Sequence, residues 1–257
     1  MRLYKITALM YRDFLIMMNA KWRLVEMFYF PITGIIIWGF FAIYSKQFAL
    51  EAGLLVLMVN VFWNFAQIAQ STVNIQLQED VWSGSLKQVL LSGITEFEYI
   101  GARILSSTVV SLLLAVILTV LASAFGLDIF GHLGALLILM ALTLVGSIAL
   151  AIFIAAIVVA VGREYGFLAW SALQIFILLS APFYPIEVFP RVLQYVAVVM
   201  PFTALFASAR LLATGGFSPA LALQSLLVVL VYFALSWPVY LLAFRRARRT
   251  GKLVKIY

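Results

Sequence analysis

The sequence predicts an all-α polytopic membrane protein with six transmembrane helices. Three observations carry that expectation. Of the 257 residues, 65% are hydrophobic and 11% are charged. Soluble domains average about 45–50% apolar and about 25% charged, so this chain cannot cover its surface with polar groups in water. Its apolar runs are far longer than a strand and show no alternation, which favours helices over a barrel. Finally, its basic residues gather in every second connection, as the positive-inside rule requires of a multi-pass protein.

The elements follow in order. Residues 1–26 recur in charge, so a cleavable signal peptide is not expected. Leu3, Ile6, Met10, Phe14 and Met17 step by three or four, with Lys5, Arg12 and Asn19 on another face. That pattern predicts an amphipathic helix lying at the membrane interface. Six apolar runs then approach the roughly 20 residues that a spanning helix needs: 27–44, 53–73, 104–125, 133–161, 167–182 and 221–244. With the N-terminus inside, only Lys46, Arg191 and Arg210 of the 17 lysines and arginines fall outside. Both termini are therefore expected in the cytoplasm, with the chain in the plasma (inner) membrane. Residues 245–257 form a basic tail suited to anionic lipid head groups rather than to nucleic acid. Arg163 and Glu164 make a short turn between spans four and five, readable as a positive-inside anchor or as a second contact for a cytoplasmic partner.

Function classes narrow by absence. The chain has no cysteine, and its one histidine, His132, stands beside a turn where a solvated loop residue is expected. No G-x-x-x-x-G-K-[ST] stretch occurs, so no phosphate cradle of that kind is encoded. No carboxylate pair, Ser/His/Asp set or metal cluster supports chemistry in the membrane. No intrinsic catalytic site is expected.

Two stretches carry polarity instead. EDVWSGSLKQVLLSG, residues 79–93, interrupts the apolar chain on the cytoplasmic side. Ser85 and Gln88 have the form of a capping box, Leu86, Val89 and Leu90 share one face, and Gly93 supplies a stop. This predicts a helix of about two turns, too short to be stable alone in water. Its apolar face must rest on the bilayer and this chain's own helix ends, or dock into a soluble partner. In span two, Asn60, Asn64, Gln67, Ser71, Asn74 and Gln78 are spaced by four, three, four, three and four, with Gln70 adjacent. Amides exposed to lipid are costly, so the stripe faces protein or a watery path. Interhelical glue and a translocation route, with Gln174 of span five facing it, both fit. Charge is scarce within the spans, which argues against an ion-coupled carrier. A neutral path suits an amphipathic cargo.

The order of these features resembles the membrane subunits of ATP-binding-cassette exporters with the type-two permease domain. The matching positions in the cytoplasmic loop are Glu79, Asp80, Gly84, Ser85, Leu86, Leu90, Leu91 and Ser92. Lys87 stands where an acidic residue is usual, and Gly93 where proline is usual. A second stretch, residues 180–216, resembles the family's re-entrant external segment between spans five and six. Pro182, Pro185, Pro190 and Pro201 break it into pieces, 188–199 and 202–213, too short to cross.

The resemblance implies a single permease domain over 1–257: an interfacial helix (1–26), a six-span bundle (27–244) and the tail (245–257). It makes the loop helix a coupling helix, with Glu79, Asp80, Ser85, Leu86, Lys87, Val89, Leu90 and Leu91 as the residues that engage an ATPase. It places the translocation path at Asn60, Asn64, Gln67, Ser71, Asn74 and Gln174. It further implies a second permease copy, a separate ATPase subunit that holds ATP and Mg, and export of a drug-like molecule, lipid or lipid-linked glycan. A secondary transporter or channel, or a membrane anchor for an ATPase, are the alternatives.

Overall fold

The computed structural model describes residues 3–45, 50–128, 130–161 and 167–249. Among them the main elements are α1 (Leu3–Asn19), α2 (Lys21–Ser45), α3 (Leu50–Trp82), α4 (Ser85–Leu91), α5 (Glu96–Ala124), α6 (Leu133–Val161), α7 (Leu168–Leu179), α8 (Arg191–Val199), α9 (Thr203–Ala213) and α10 (Pro219–Arg249). Short 3₁₀ turns lie at Phe130–His132 and Ile186–Val188. The Arg163–Glu164 turn, Lys46, Lys252 and Lys255 lie outside the described residues.

The helix α3 is the hub. It packs against α2, α5, α6, α7 and α9, and its Leu57, Phe62, Phe65 and Ala66 are fully buried. At about 50 Å it is longer than a hydrocarbon core of about 30 Å, so its last turns project beyond the apolar zone. Opposite it, α6 packs along α10. Small residues bring α6 close to its neighbours: a side chain at Gly146 would meet Phe202 and Val229 at 3.2 Å.

Buried apolar side chains form two clusters. One fills the middle and far end of the bundle and includes Phe62, Phe65, Leu118, Leu139, Phe202 and Phe206. The other lies where α1, α4 and the C-terminal turns of α3 and α10 gather, and includes Ile6, Leu9, Leu77, Leu86, Tyr99 and Phe244. We call this second region the charged end, because the ion pairs described below lie within it.

The expected six spans are corrected in one place. Five helices are long and apolar enough to cross a membrane: α2, α3, α5, α6 and α10. The expected fifth span, 167–182, is represented by α7, whose 12 residues reach only about 18 Å. The chain leaves the helix at Ser180, and Ala181 adopts φ 48°, a left-handed conformation rare for a residue with a side chain. Pro182 follows, and a residue before proline is disfavoured in the helical region. Arg210 of α9 steadies this exit by donating through Nη1 to the carbonyls of Ala181 and Pro182, at 2.7 and 3.0 Å. The two pieces expected beyond it are helices α8 and α9, bent by 89° across a break that contains Pro201.

Candidate functional site: the charged end and the polar face of α3

The last turns of α3 bring Gln76, Glu79 and Asp80 to the charged end. The first turns of α5 bring Tyr99 and Arg103, four residues apart and therefore on one face. The helix α1 contributes Asp13 from the same buried face as Ile6 and Leu9, with Arg12 beside it. These groups complete one another. Arg103, only 1% exposed, forms ion pairs with Asp13 and with Asp80. Arg12 Nη2 donates to both oxygens of Asp80, at 3.0 and 2.9 Å, and to Asp13 Oδ1 at 3.3 Å. The hydroxyls of Tyr99 and Ser85 each donate to Asp80 at 2.7 Å, and the Arg103 guanidinium lies 5.0 Å from the centre of the Tyr99 ring. Asp80 thus collects donors from α1, α4 and α5 while sitting on α3. A buried carboxylate without partners costs several kcal/mol, so this arrangement fixes how the four helices meet.

That geometry corrects the expected capping box at Ser85. Its hydroxyl serves Asp80, and the N-cap of α4 is Gly84, at φ 72°, with no side-chain cap bond. The capping box lies one element later, where Thr95 and Glu98 bond reciprocally at the start of α5. Gly93, where the resemblance would have proline, has φ 78°, which a proline ring cannot adopt. Its carbonyl accepts a bond from Lys5 Nζ, so α1 also grips the end of α4.

The eight expected coupling residues divide into two groups. Asp80 is committed to the internal ion pairs, and Glu79 is half-buried beside it. Ser85 ties α4 to Asp80. Leu86 and Val89 do not face outward as expected: they are 1% and 9% exposed and pack in the apolar cluster of this chain. Leu90 is half-buried against the same cluster. Lys87 and Leu91 face out, with Leu91 77% exposed, and Gln88 joins them. The apolar side of α4 is its anchor, and a polar side with one bare leucine is its outer surface.

The predicted path residues lie on one side of α3. Asn60, Ser71 and Asn74 are buried, while Asn64 and Gln67 are half-buried. Asn60, Asn64 and Asn74 each donate to the carbonyl four residues earlier on α3, at 3.0, 2.9 and 3.2 Å. Those three amide nitrogens therefore do not bridge helices. Gln174 of α7 does reach across, donating to Gln67 Oε1 at 3.1 Å.

Two hollows meet at Arg12. The first, about 470 Å³, lies between α1, α2, α3 and α5 and is lined chiefly by apolar groups. The second, about 630 Å³, lies on the α4 side and includes Ser83, Ser85, Gln88 and Ser92. Arg12, Ile16, Glu79 and Asp80 border both.

The model of the ABC-2 type transporter family matches residues 4–214. The chain belongs to that family. No curated protein matches the sequence. The match runs from α1 through the end of α9, so the charged end and the polar face both lie inside it while α10 follows it. ABC-2 chains are transmembrane components of transporters and carry no catalytic site of their own. In this ABC-2 chain the sequence reading missed Arg12, Asp13, Tyr99 and Arg103 as a group. Arg12 and Arg103 were legible only as inside-positive charges. The available signal was Asp13, an acid on the same helical face as Ile6 and Leu9, which required a cation opposite it.

Proposed function

We propose that this chain is the membrane subunit of an ATP-driven exporter of amphipathic molecules. Its charged end faces the cytoplasm of a plasma (inner) membrane, with both termini on that side and α1 lying at the interface. A second copy of the permease pairs with it, and separate ATPase subunits supply ATP and Mg. The whole chain acts as one permease domain.

One observation carries this reading. The short helix α4 stands at the tip of the hub helix, held from beneath by Asp80, Leu86 and Val89, and turns Lys87, Gln88 and Leu91 outward. A seven-residue helix would not hold its shape alone, so its fixed seat on α3 and α1 makes it a lever rather than a loop. A push on Lys87 or Leu91 passes into α3, whose far half carries Asn60, Asn64 and Gln67. Those amides, with Gln174, offer hydrogen bonds to a cargo while the surrounding side chains remain apolar.

A gradient-driven carrier finds its best support in the buried carboxylates Asp13 and Asp80. Both are saturated by arginine, which leaves neither a lone acid nor a lone base to carry a proton. The exporter reading is tested by co-purification from membranes that contain the cognate ATPase. Leu91→Asp combined with Lys87→Glu is expected to lose the ATPase while the permease keeps its melting temperature. Full retention of the ATPase by that variant would refute the docking role of α4.

A further inference from the structure

The hollow between α1, α2, α3 and α5 has an order to its lining. On α3 it runs from Asp80 to Ile68, twelve positions or about 18 Å of helix. Asp80, Glu79 and Gln76 border its outer end, with Arg12 and Asp13 of α1 and Arg103 of α5. Ser71 and Thr72 lie midway. Ile68, Met17, Met27 and Phe30 border its inner end, and the first three of these pack against the central apolar cluster. Polarity therefore falls with distance from the charged end, as it does in one leaflet of a membrane. Ile16 and Phe30 are exposed and form an open rim.

We propose that this hollow is a binding site for a single amphiphile drawn from the adjoining leaflet, its head net-neutral or zwitterionic and able to accept hydrogen bonds. Its volume of about 470 Å³ lies in the range of about 300–1,000 Å³ typical of small-molecule sites. The apolar body rests on Met17, Met27, Phe30 and Ile68. The head meets Arg12, whose bonds to Asp13 and Asp80 use Nε and Nη2 and leave Nη1 to donate. Gln76 and the Ser71 hydroxyl add polar contacts. Selection against anions follows from the charges around the outer end, where three carboxylates face two guanidiniums. A further negative charge would add repulsion in a setting where charge interactions are strong. A zwitterionic phospholipid and a neutral glycolipid share this head chemistry.

The site deepens the exporter reading, since its outer wall is the same ion-pair cluster that seats α4. Binding itself depends on this chain alone, so it is measured without any ATPase. The purified full chain is placed in nanodiscs with a phosphatidylethanolamine that carries a photoactivatable group on one acyl chain. After illumination, labelled positions are mapped by mass spectrometry. Met17 and Met27 are expected to capture at least tenfold more label than Val116 and Leu137, which lie on the apolar groove between α5 and α6. Ile16→Trp, which narrows the rim at an exposed position, is expected to reduce that capture several-fold.

Excess unlabelled phosphatidylethanolamine or glucosyl diacylglycerol should compete, and the stronger competitor identifies which source fills the site. Equal labelling of α5 and α6 would reduce the hollow to ordinary annular contact and overturn the proposal. So would equal capture of a phosphatidylglycerol probe, whose head is anionic. Either failure leaves the co-purification test of α4 untouched, so the two readings stand or fall separately.

Discussion

The two halves of α3 are both polar, yet they treat polarity in opposite ways. At the charged end, Asp80 is bonded by Arg12, Ser85, Tyr99 and Arg103, which come from three other helices. In the far half, Asn60 and Asn64 donate back to their own helix, and the Gln67–Gln174 bond is the cross-helix amide pair. The first arrangement locks helices together. The second leaves amide groups on a face without using them as fasteners. Interhelical glue was one reading of the stripe in the sequence, and the bonding pattern argues against it for the three asparagines. A lever needs a rigid grip at one end and a surface that can change partners at the other.

The largest effect should come from the grip. Arg103→Leu strands Asp13 and Asp80 in a buried setting, and breaking such a network costs about 3–5 kcal/mol. A thermal melt of the purified chain in detergent should show a clear drop, and an unchanged melt would mean that the cluster is not what holds α1, α3 and α5. Tyr99→Phe removes one hydrogen bond to a carboxylate, with an expected loss of about 1.5–3 kcal/mol in the same assay. On the other half, Gln174→Leu should barely alter the melt, since amide bonds between membrane helices average about 0.6 kcal/mol. Its cost should instead appear as slower cargo movement in reconstituted vesicles. A large loss of stability there would make the stripe a fastener after all. The smallest structural effect belongs to Leu91→Ser on the exposed side of α4, expected within about 0.5 kcal/mol of the parent.

What could be read from the sequence follows the same division. Apolar periodicity and length gave α2, α3, α5, α6 and α10 almost to their ends, because burial in lipid needs a simple and long signal. The prolines marked α8 and α9 for the same reason: loss of an N–H breaks a helix wherever it lies. The shortness of α7 was hidden. Residues 180–182 are as apolar as a span, and only the backbone turn at Ala181 stops the helix. At α4 the sequence placed the helix correctly but misjudged its sides. Leu86 and Val89 look free until α1 and α5 are folded beneath them, and Ser85 looks like a cap until Asp80 is seen to take its hydroxyl. Pairings between residues as distant as Asp13, Asp80 and Arg103 leave no periodic trace.

The central claim is that α4 and α3 move as one body when the ATPase acts. The chain has no native cysteine, so paired spin labels can be placed without background. Labels at Lys87→Cys and Glu51→Cys report α4 against the far end of α3, and Lys87→Cys alone reports the distance between two copies of the chain. With the ATPase bound, adding ATP should change the distance between copies while leaving the distance from 87 to 51 within one chain unchanged. A shift of position 87 relative to position 51, with the copies staying still, would contradict the account.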